Sequence, residues 1–121
     1  MISTNEETKK FQKELNSGTT ALVLLGVLGQ NAEPMYGYQI AKLIEANAKY
    51  TPIMKLGALY PVLRSLESIG LLESEVEPSV SGPPRRYYRI TETGRETLER
   101  WRAIWDQTKA LVDNVIHGGE Q

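Results

Sequence analysis

The segment that decides the fold of this chain is Gly82-Pro83-Pro84-Arg85-Arg86-Tyr87-Tyr88-Arg89-Ile90-Thr91-Glu92-Thr93-Gly94. Its glycine and prolines favour a turn, and the two arginines that follow would project away from the body of a domain. Residues 87–91 have the aromatic and β-branched content of a short strand, and residues 71–77 alternate apolar with acidic residues as a partner strand would. We therefore predict a basic β-hairpin arm, and arms of this kind bind nucleic acid.

A long helix is predicted directly after the arm. Thr91-Glu92-Thr93-Gly94 has the pattern of a helix N-terminus, and the helical pattern runs to about Ile116, where Gly118 and Gly119 close it. Apolar residues repeat every seven positions along one side, as in helices that pack against each other. We expect this side to form a dimer seam comprising Leu98, Trp101, Ile104, Trp105, Thr108, Leu111, Val112 and Val115.

The first half of the chain predicts a polar helical extension followed by helices. Residues 5–16 are polar and helix-forming, whereas residues 21–28 are apolar on all sides, as in a central buried helix that ends near Gly29. Residues 36–48 form a further helix with one apolar face. That face comprises Tyr36, Ile40, Leu43, Ile44 and Ala48.

A proline places the next helix. Because proline is tolerated in the first turn, where amide protons have no partner within the helix, Pro61 predicts a start near Gly57. Gly70 is expected to end the helix as a C-cap. The buried stripe is predicted to comprise Leu59, Val62, Leu63, Leu66 and Ile69, with Gly57, Tyr60, Pro61, Arg64 and Ser68 on the opposite side.

This order of elements predicts a mainly α (α+β) fold, a winged helix-turn-helix with a long C-terminal dimerisation helix. Residues 1–91 would form the winged helix-turn-helix domain with its helical extension, and residues 92–121 the dimerisation helix. In such folds the second helix of the pair enters the major groove of DNA. The residues expected to contact double-stranded DNA are Tyr38, Lys42, Lys55, Gly57, Tyr60, Pro61, Arg64, Arg85 and Arg86.

Composition excludes several other classes of protein. The chain has 121 residues and no cysteine, which rules out disulfides and thiolate chemistry and favours a cytoplasmic location. Its most apolar run, residues 21–28, is far shorter than the roughly 20 residues of a membrane span, so no membrane partner is expected. The single histidine, His117, lies near the C-terminus, so we expect no metal site, no cofactor and no enzymatic activity.

The distribution of charge matters more than its sum. The net charge is -1, which argues mildly against nucleic-acid binding, but residues 36–91 carry seven Lys/Arg against five Asp/Glu. Three of those acids lie close together in the sequence, at Glu73, Glu75 and Glu77. The sequence therefore predicts a weakly basic face on an acidic body, provided that the fold gathers the cations.

Several stretches together resemble a known family. They are Leu25-Gly26-Val27-Leu28 with Tyr36-Gly37-Tyr38-Gln39-Ile40, then residues 57–67, Gly70-Leu71-Leu72 and residues 82–91. In this order and spacing they resemble the PadR family of bacterial transcriptional regulators over roughly residues 19–98. Members usually carry a threonine between the glycine and the leucine that open the recognition helix, whereas this chain has Ala58, which lacks a hydroxyl for a phosphate contact or a cap.

The resemblance implies a function and an assembly. The single helix after the arm resembles the short subfamily, whose members are homodimers held together by that helix. The resemblance also implies repression of target promoters, relieved by a small planar aromatic or hydrophobic effector. The residues expected to form the effector site are Phe11, Leu15, Trp101 and Trp105.

Each functional assignment has a structural alternative. Arg85 and Arg86 could be solvated surface charges, and Tyr38 could cover the edge of the core. Trp101 and Trp105 could simply fill the dimer core, which is the more common role for such a pair. For the whole chain the alternative is a winged-helix module that binds a protein and not DNA, a hypothesis that the net acidity and Ala58 favour.

Overall fold

The computed structural model describes residues 4–48 and 56–118. Within these ranges the chain forms four helices and a small antiparallel sheet, which confirms the predicted winged helix-turn-helix. The elements are α1 (Thr4–Gly29), β1 (Met35–Tyr36), α2 (Gly37–Asn47), α3 (Leu56–Ser68), β2 (Leu72–Glu77), β3 (Arg85–Ile90) and α4 (Glu92–Ile116). Lys55, predicted to contact DNA, lies outside the described residues.

The polar extension and the apolar helix are one continuous helix. α1 passes through Gly18 without a break, since a single glycine costs only about 1 kcal/mol within a helix. The hydroxyl groups of Thr19 and Thr20 donate to carbonyl oxygens one turn earlier in the same helix. The expected fully buried helix is wrong in part, because Leu22 and Val23 are only half-buried and face a groove between α1 and α4.

The core lies where α1 meets α2, α3, the sheet and the first turns of α4. Leu98 was predicted for the dimer seam but belongs to the core, whereas Leu43 and Val62 of the predicted apolar faces are only partly buried. The core residues come from the apolar run of α1, the apolar faces of α2 and α3, the sheet with its adjoining loops, and the start of α4. They are Leu24, Leu25, Leu28, Met35, Ile40, Ile44, Leu59, Leu63, Leu66, Leu71, Leu72, Tyr88, Ile90 and Leu98.

Pro61 lies further into its helix than the sequence predicted. α3 is described from Leu56, so the proline stands inside the helix and not in its first turn. Residue 61 has no amide hydrogen to give to the Gly57 carbonyl, which weakens the helix at that point. Packing compensates for the loss, because Leu59 and Leu63 are fully buried beneath this turn.

The end of α3 corrects one predicted core residue. Ile69 was expected in the buried stripe, but it follows the last helical residue and is 62% exposed. Gly70 has a φ of 85°, and the amides of Gly70 and Leu71 donate to the carbonyls of Glu67 and Leu66. This is the Schellman pattern, and it turns the chain away before Ile69 can reach the core.

The sheet has the order β1-β3-β2, with both pairs antiparallel. The two arm strands occur where they were predicted, whereas β1, only two residues long, was not predicted. Tyr88 and Ile90 of β3 are buried. The alternate positions of β3, which are Arg85, Tyr87 and Arg89, lie on the outer face opposite Glu77, Glu75 and Glu73.

The start of α4 is fixed as the sequence predicted. The Thr91 hydroxyl accepts a hydrogen bond from the Gly94 amide at 2.9 Å and donates one to the Gly70 carbonyl at 2.7 Å. These bonds tie the helix N-terminus to the end of α3. No helix in the described ranges is long and apolar enough to cross a membrane.

Candidate nucleic-acid interface

The helix-turn-helix pair is closed by a tyrosine packed against a glycine. The ring of Tyr60, on α3, lies against Gly37 at the start of α2, and Gly37 is buried. A Cβ atom at position 37 would stand 2.6 Å from the Tyr60 hydroxyl oxygen. Tyr60 is therefore held by α2 on one side and is 38% exposed on the other.

A row of alternating rings and cations runs from the arm to α2. The guanidinium of Arg85 lies over the Tyr36 ring, 4.5 Å from its centre, and the Tyr36 and Tyr38 rings are 6.4 Å apart. The Lys42 ammonium is 5.7 Å from the centre of the Tyr38 ring. We call these four residues the aromatic row. Gly37, which lies between Tyr36 and Tyr38 in the sequence, is in contact with Tyr60, so the row is next to α3 at this point of the chain.

Two contacts hold the rings of the row in place. Tyr36 pairs with Tyr87 across β1 and β3, and the two rings meet edge to face at 5.3 Å. The Tyr36 amide also donates to the Gln39 side-chain oxygen at 3.0 Å. A hydrogen bond with Tyr87, reinforced by Tyr36, raises the pKa of Arg85.

The second arm arginine has different surroundings. Arg86 donates from Nη1 to the Ser74 hydroxyl at 2.9 Å, and that hydroxyl donates to Glu67 Oε2 on α3 at 2.8 Å. The nearby Tyr88 hydroxyl is influenced by the same groups: burial, then Glu67, raises its pKa, while Arg86 and Arg64 act in the opposite direction. Arg86 is thus linked through Ser74 to Glu67 of α3 and faces away from the aromatic row.

The structure brings together most of the residues predicted to contact DNA. Tyr38, Lys42 and Arg85 belong to the aromatic row, and Tyr60 adjoins it through Gly37. Gly57, Pro61 and Arg64 are exposed on α3. Both arm arginines are exposed, and each also has a contact that the sequence did not predict: Arg85 lies over the Tyr36 ring, and Arg86 donates to the Ser74 hydroxyl.

Sequence reasoning missed the residues that position the arginines. Tyr36 was assigned to the apolar face of α2, and Glu67 and Ser74 were not singled out. The signal for Tyr36 is local, since residues 35–36 come immediately before a helix and have the apolar and aromatic composition of a short strand. No local sequence pattern indicates Glu67 or Ser74, because only the folded chain brings these two residues next to Arg86.

A second feature is an open groove between α1 and α4. It consists of two adjoining hollows of about 870 and 450 Å³ that share Leu15, Leu22 and Trp105. Trp101 lines the smaller hollow and also packs against the core. Of the four predicted effector residues, Phe11 lines neither hollow and is 62% exposed.

The outer part of α4 carries an apolar side that the rest of the described chain leaves uncovered. Leu98 is buried in the core of its own chain, so it has little surface left for a partner. From Ile104 onward the predicted seam residues are exposed within this chain. They are Ile104, Trp105, Thr108, Leu111, Val112 and Val115, of which Val115 is 71% exposed.

The described residues hold no group of histidine, aspartate and glutamate side chains that could bind a metal ion. What the fold does gather is a helix-turn-helix pair, an arm and surface cations beside aromatic rings. This combination defines a DNA-binding winged-helix protein.

Comparison with known proteins identifies the family. The model of the transcriptional regulator PadR-like family matches residues 24–100. A PadR family regulator from Eggerthella lenta is similar over 93% of this chain and 94% of its own, with a TM-score of 0.75 and 34% identity. A PadR-like regulator from Bacillus cereus gives a TM-score of 0.67 and 29% identity over 85% of this chain and 96% of its own.

The sequence relatives agree with the structural ones. The transcriptional regulator Rv3488 of Mycobacterium tuberculosis is 42% identical over 62 residues, which cover 50% of this chain and 57% of that protein. The chain belongs to the PadR-like family of transcriptional regulators. The named relatives are regulators and not enzymes, in agreement with the function expected from the sequence.

Proposed function

We propose that this protein is a homodimeric, sequence-specific DNA-binding repressor. A planar aromatic or hydrophobic effector causes it to dissociate from its operator. The observation that carries the DNA-binding part is the position of the aromatic row beside the exposed face of α3. Side chains on α3 would read base edges in the major groove, while Arg85 and Lys42 contact the phosphates alongside.

Arg64 is the best placed residue for reading bases. It is exposed on α3, one turn after Tyr60, and its guanidinium is not engaged in an ion pair among the described residues. Arginine pairs with guanine through two donors, which is the most common specific contact in the major groove. Phosphate contacts from the aromatic row would then set the register of α3 on the duplex.

The dimer is supported by the uncovered apolar side of α4. A stripe of exposed Ile104, Leu111 and Val115 along one helix is unusual for a monomer in water. The half-buried Leu22 and Val23 of α1 extend the same apolar surface into the groove. A second copy related by a two-fold axis would cover both, and would set the two recognition helices at a fixed separation.

The effector site is supported by the groove and its tryptophan. Trp105 lines both hollows and remains 39% exposed, so a flat molecule could lie against its ring. A ligand at this position touches both α1 and α4. If it binds more tightly to one arrangement of the dimer than to another, it shifts the spacing of the recognition helices and weakens DNA binding.

The alternative class is a winged-helix module that binds a protein. The outward carboxylates of Glu73, Glu75 and Glu77 on β2 favour it, because they present negative charge beside the arm. Binding to a random-sequence duplex across a range of salt concentrations separates the two classes. A DNA-binding protein loses affinity steeply as salt rises, whereas a protein-binding module shows little affinity at any salt concentration.

A further inference from the structure

On the outer face of the arm, two Glu/Arg pairs lie directly opposite each other across β2 and β3, but only one of the two pairs forms an ion pair. Glu73 lies opposite Arg89, and Glu77 lies opposite Arg85. Arg89 donates from Nε to Glu73 Oε2 at 2.8 Å, which forms an ion pair. Arg85 forms no ion pair within the described residues; it has a hydrogen bond with Tyr87 and lies over the Tyr36 ring. Since opposite charges across an antiparallel pair attract, another contact must hold Arg85 away from Glu77.

Tyr36 is built to make that contact. Its backbone pairs with Tyr87 in the sheet, and its ring is fixed edge to face against the Tyr87 ring. The face of the Tyr36 ring is therefore presented to the next outward residue of β3, which is Arg85. A cation over an exposed tyrosine ring is comparable in strength to an exposed ion pair, so the ring can compete with the Glu77 carboxylate.

The choice of partner decides what Arg85 can do. An arginine paired with a carboxylate has its charge compensated and its donors occupied, as Arg89 does. Arg85, stacked on the Tyr36 ring, keeps its charge uncompensated, and those of its N–H groups that do not bond to Tyr87 are available for a phosphate. Lys42 lies over Tyr38 at the other end of the aromatic row, so two cations face the same strip of surface.

We propose that Tyr36 is a positioning residue that withholds Arg85 from Glu77 and thereby keeps it as a contact for a DNA backbone phosphate. This inference rests on the proposed DNA-binding function. It assigns Glu77 the role of an internal competitor, which captures Arg85 when the ring is removed. Arg89 is the natural comparison, since it lies over no aromatic ring among the described residues and is paired with the Glu73 carboxylate.

The test uses Tyr36→Leu, which removes the ring face and keeps apolar bulk. Binding to a random-sequence duplex is measured by fluorescence anisotropy between low and moderate salt. We expect affinity to fall about fivefold at low salt, and the slope of log affinity against log salt to flatten by ~0.9, the value for one lost phosphate contact. Tyr36→Phe, which keeps the ring, should bind as the parent does.

The decisive test also removes the Glu77 carboxylate, which competes with the Tyr36 ring for Arg85. Tyr36→Leu combined with Glu77→Gln should recover most of the affinity and the parental slope. The matched control combines Tyr36→Leu with Glu75→Gln, which removes the same charge from the same strand but not opposite Arg85. Equal recovery in both double variants would mean a general charge effect and would overturn the inference, as would a parental slope in Tyr36→Leu.

A second measurement covers the case in which Tyr36→Leu does not fold. The side-chain protons of Arg85 should show an upfield ring-current shift by NMR in the parent, unchanged by Glu77→Gln. A shift that is missing, or that arises only in Glu77→Gln, would contradict the inference. If the parent itself shows no salt-dependent binding to duplex DNA, the proposed function fails, and the phosphate-contact role fails with it, whatever the position of Arg85.

Discussion

Gly37 of α2 and Tyr60 of α3 are in such close contact that the space between them admits no Cβ atom: one built on Gly37 would stand 2.6 Å from the Tyr60 hydroxyl oxygen and 2.9 Å from its ring. The contact joins the two helices of the helix-turn-helix. It also fixes the position of the Tyr60 ring, which belongs to the surface proposed to bind DNA.

Gly37→Ala should therefore destabilise the protein by about 1–2 kcal/mol, because overpacking outweighs the better helix propensity of alanine. Urea denaturation measures this. The cost should largely disappear in a Tyr60→Ala background, where the clash is absent. Gly57→Ala is the control, since nothing lies within 4 Å of a Cβ there. Equal effects of Gly37→Ala with and without Tyr60 would show that the contact does not limit the packing.

The three arginines of β3 should contribute unequally to DNA binding. Arg85→Ala should flatten the salt slope by ~0.9, because the charge of Arg85 is not paired with a carboxylate among the described residues. Arg89→Ala should leave the slope unchanged, since Arg89 is paired with Glu73. Arg86→Ala should weaken binding less than Arg85→Ala, because Arg86 is bound to Ser74. Anisotropy titrations on one duplex compare all three, and a larger slope change for Arg89 than for Arg85 would reject this ranking.

The dimer seam can be broken without touching the winged helix. Leu111→Glu with Val115→Glu places charges in the uncovered apolar side of α4, where burial of an unpaired carboxylate is costly. Light scattering should then give the mass of one chain in place of two. Ala110→Glu, on the opposite side of the same helix, should remain dimeric. A parent with the mass of one chain would contradict the proposed assembly.

The groove between α1 and α4 should bind planar aromatic molecules. Their binding should quench tryptophan fluorescence, and Trp105→Ala should weaken it by ~2 kcal/mol, about thirtyfold, if roughly 80 Å² of contact is lost at ~25 cal/mol per Å². The control is Phe11→Ala, since Phe11 lines neither hollow. If Trp105→Ala still dimerises and binds a panel of planar dyes as the parent does, both tryptophans serve packing alone.

Local sequence signals accounted for the fold. The Thr91 cap and the Gly70 turn depend on neighbouring residues only, and both form as predicted. The position of Pro61 and the exposure of Ile69 were not predictable, because packing of Leu59 and Leu63 overrides the local preference of proline and the Schellman turn removes Ile69 from the stripe.

The candidate site was less predictable than the fold. Residue type and position indicated Tyr38, Lys42, Tyr60 and Arg85, which the structure brings together. Residue type and position could not indicate which arginine lacks a carboxylate partner, since the contacts of Arg85 and Arg86 include residues of β1, β2 and α3. Whether a surface arginine is paired depends on residues that are distant in the sequence, whereas the position of a helix end depends on residues next to it in the chain.

The central claim is that the chain reads a DNA sequence as a symmetric dimer. Selection of bound duplexes from a random pool tests it directly. We expect an inverted repeat whose half-sites are separated by about one helical turn, ~10 bp, or a multiple of it. Arg64→Ala should change the preferred bases within each half-site. A pool that shows no enrichment after repeated rounds, or that yields a single unpaired half-site, would contradict the account.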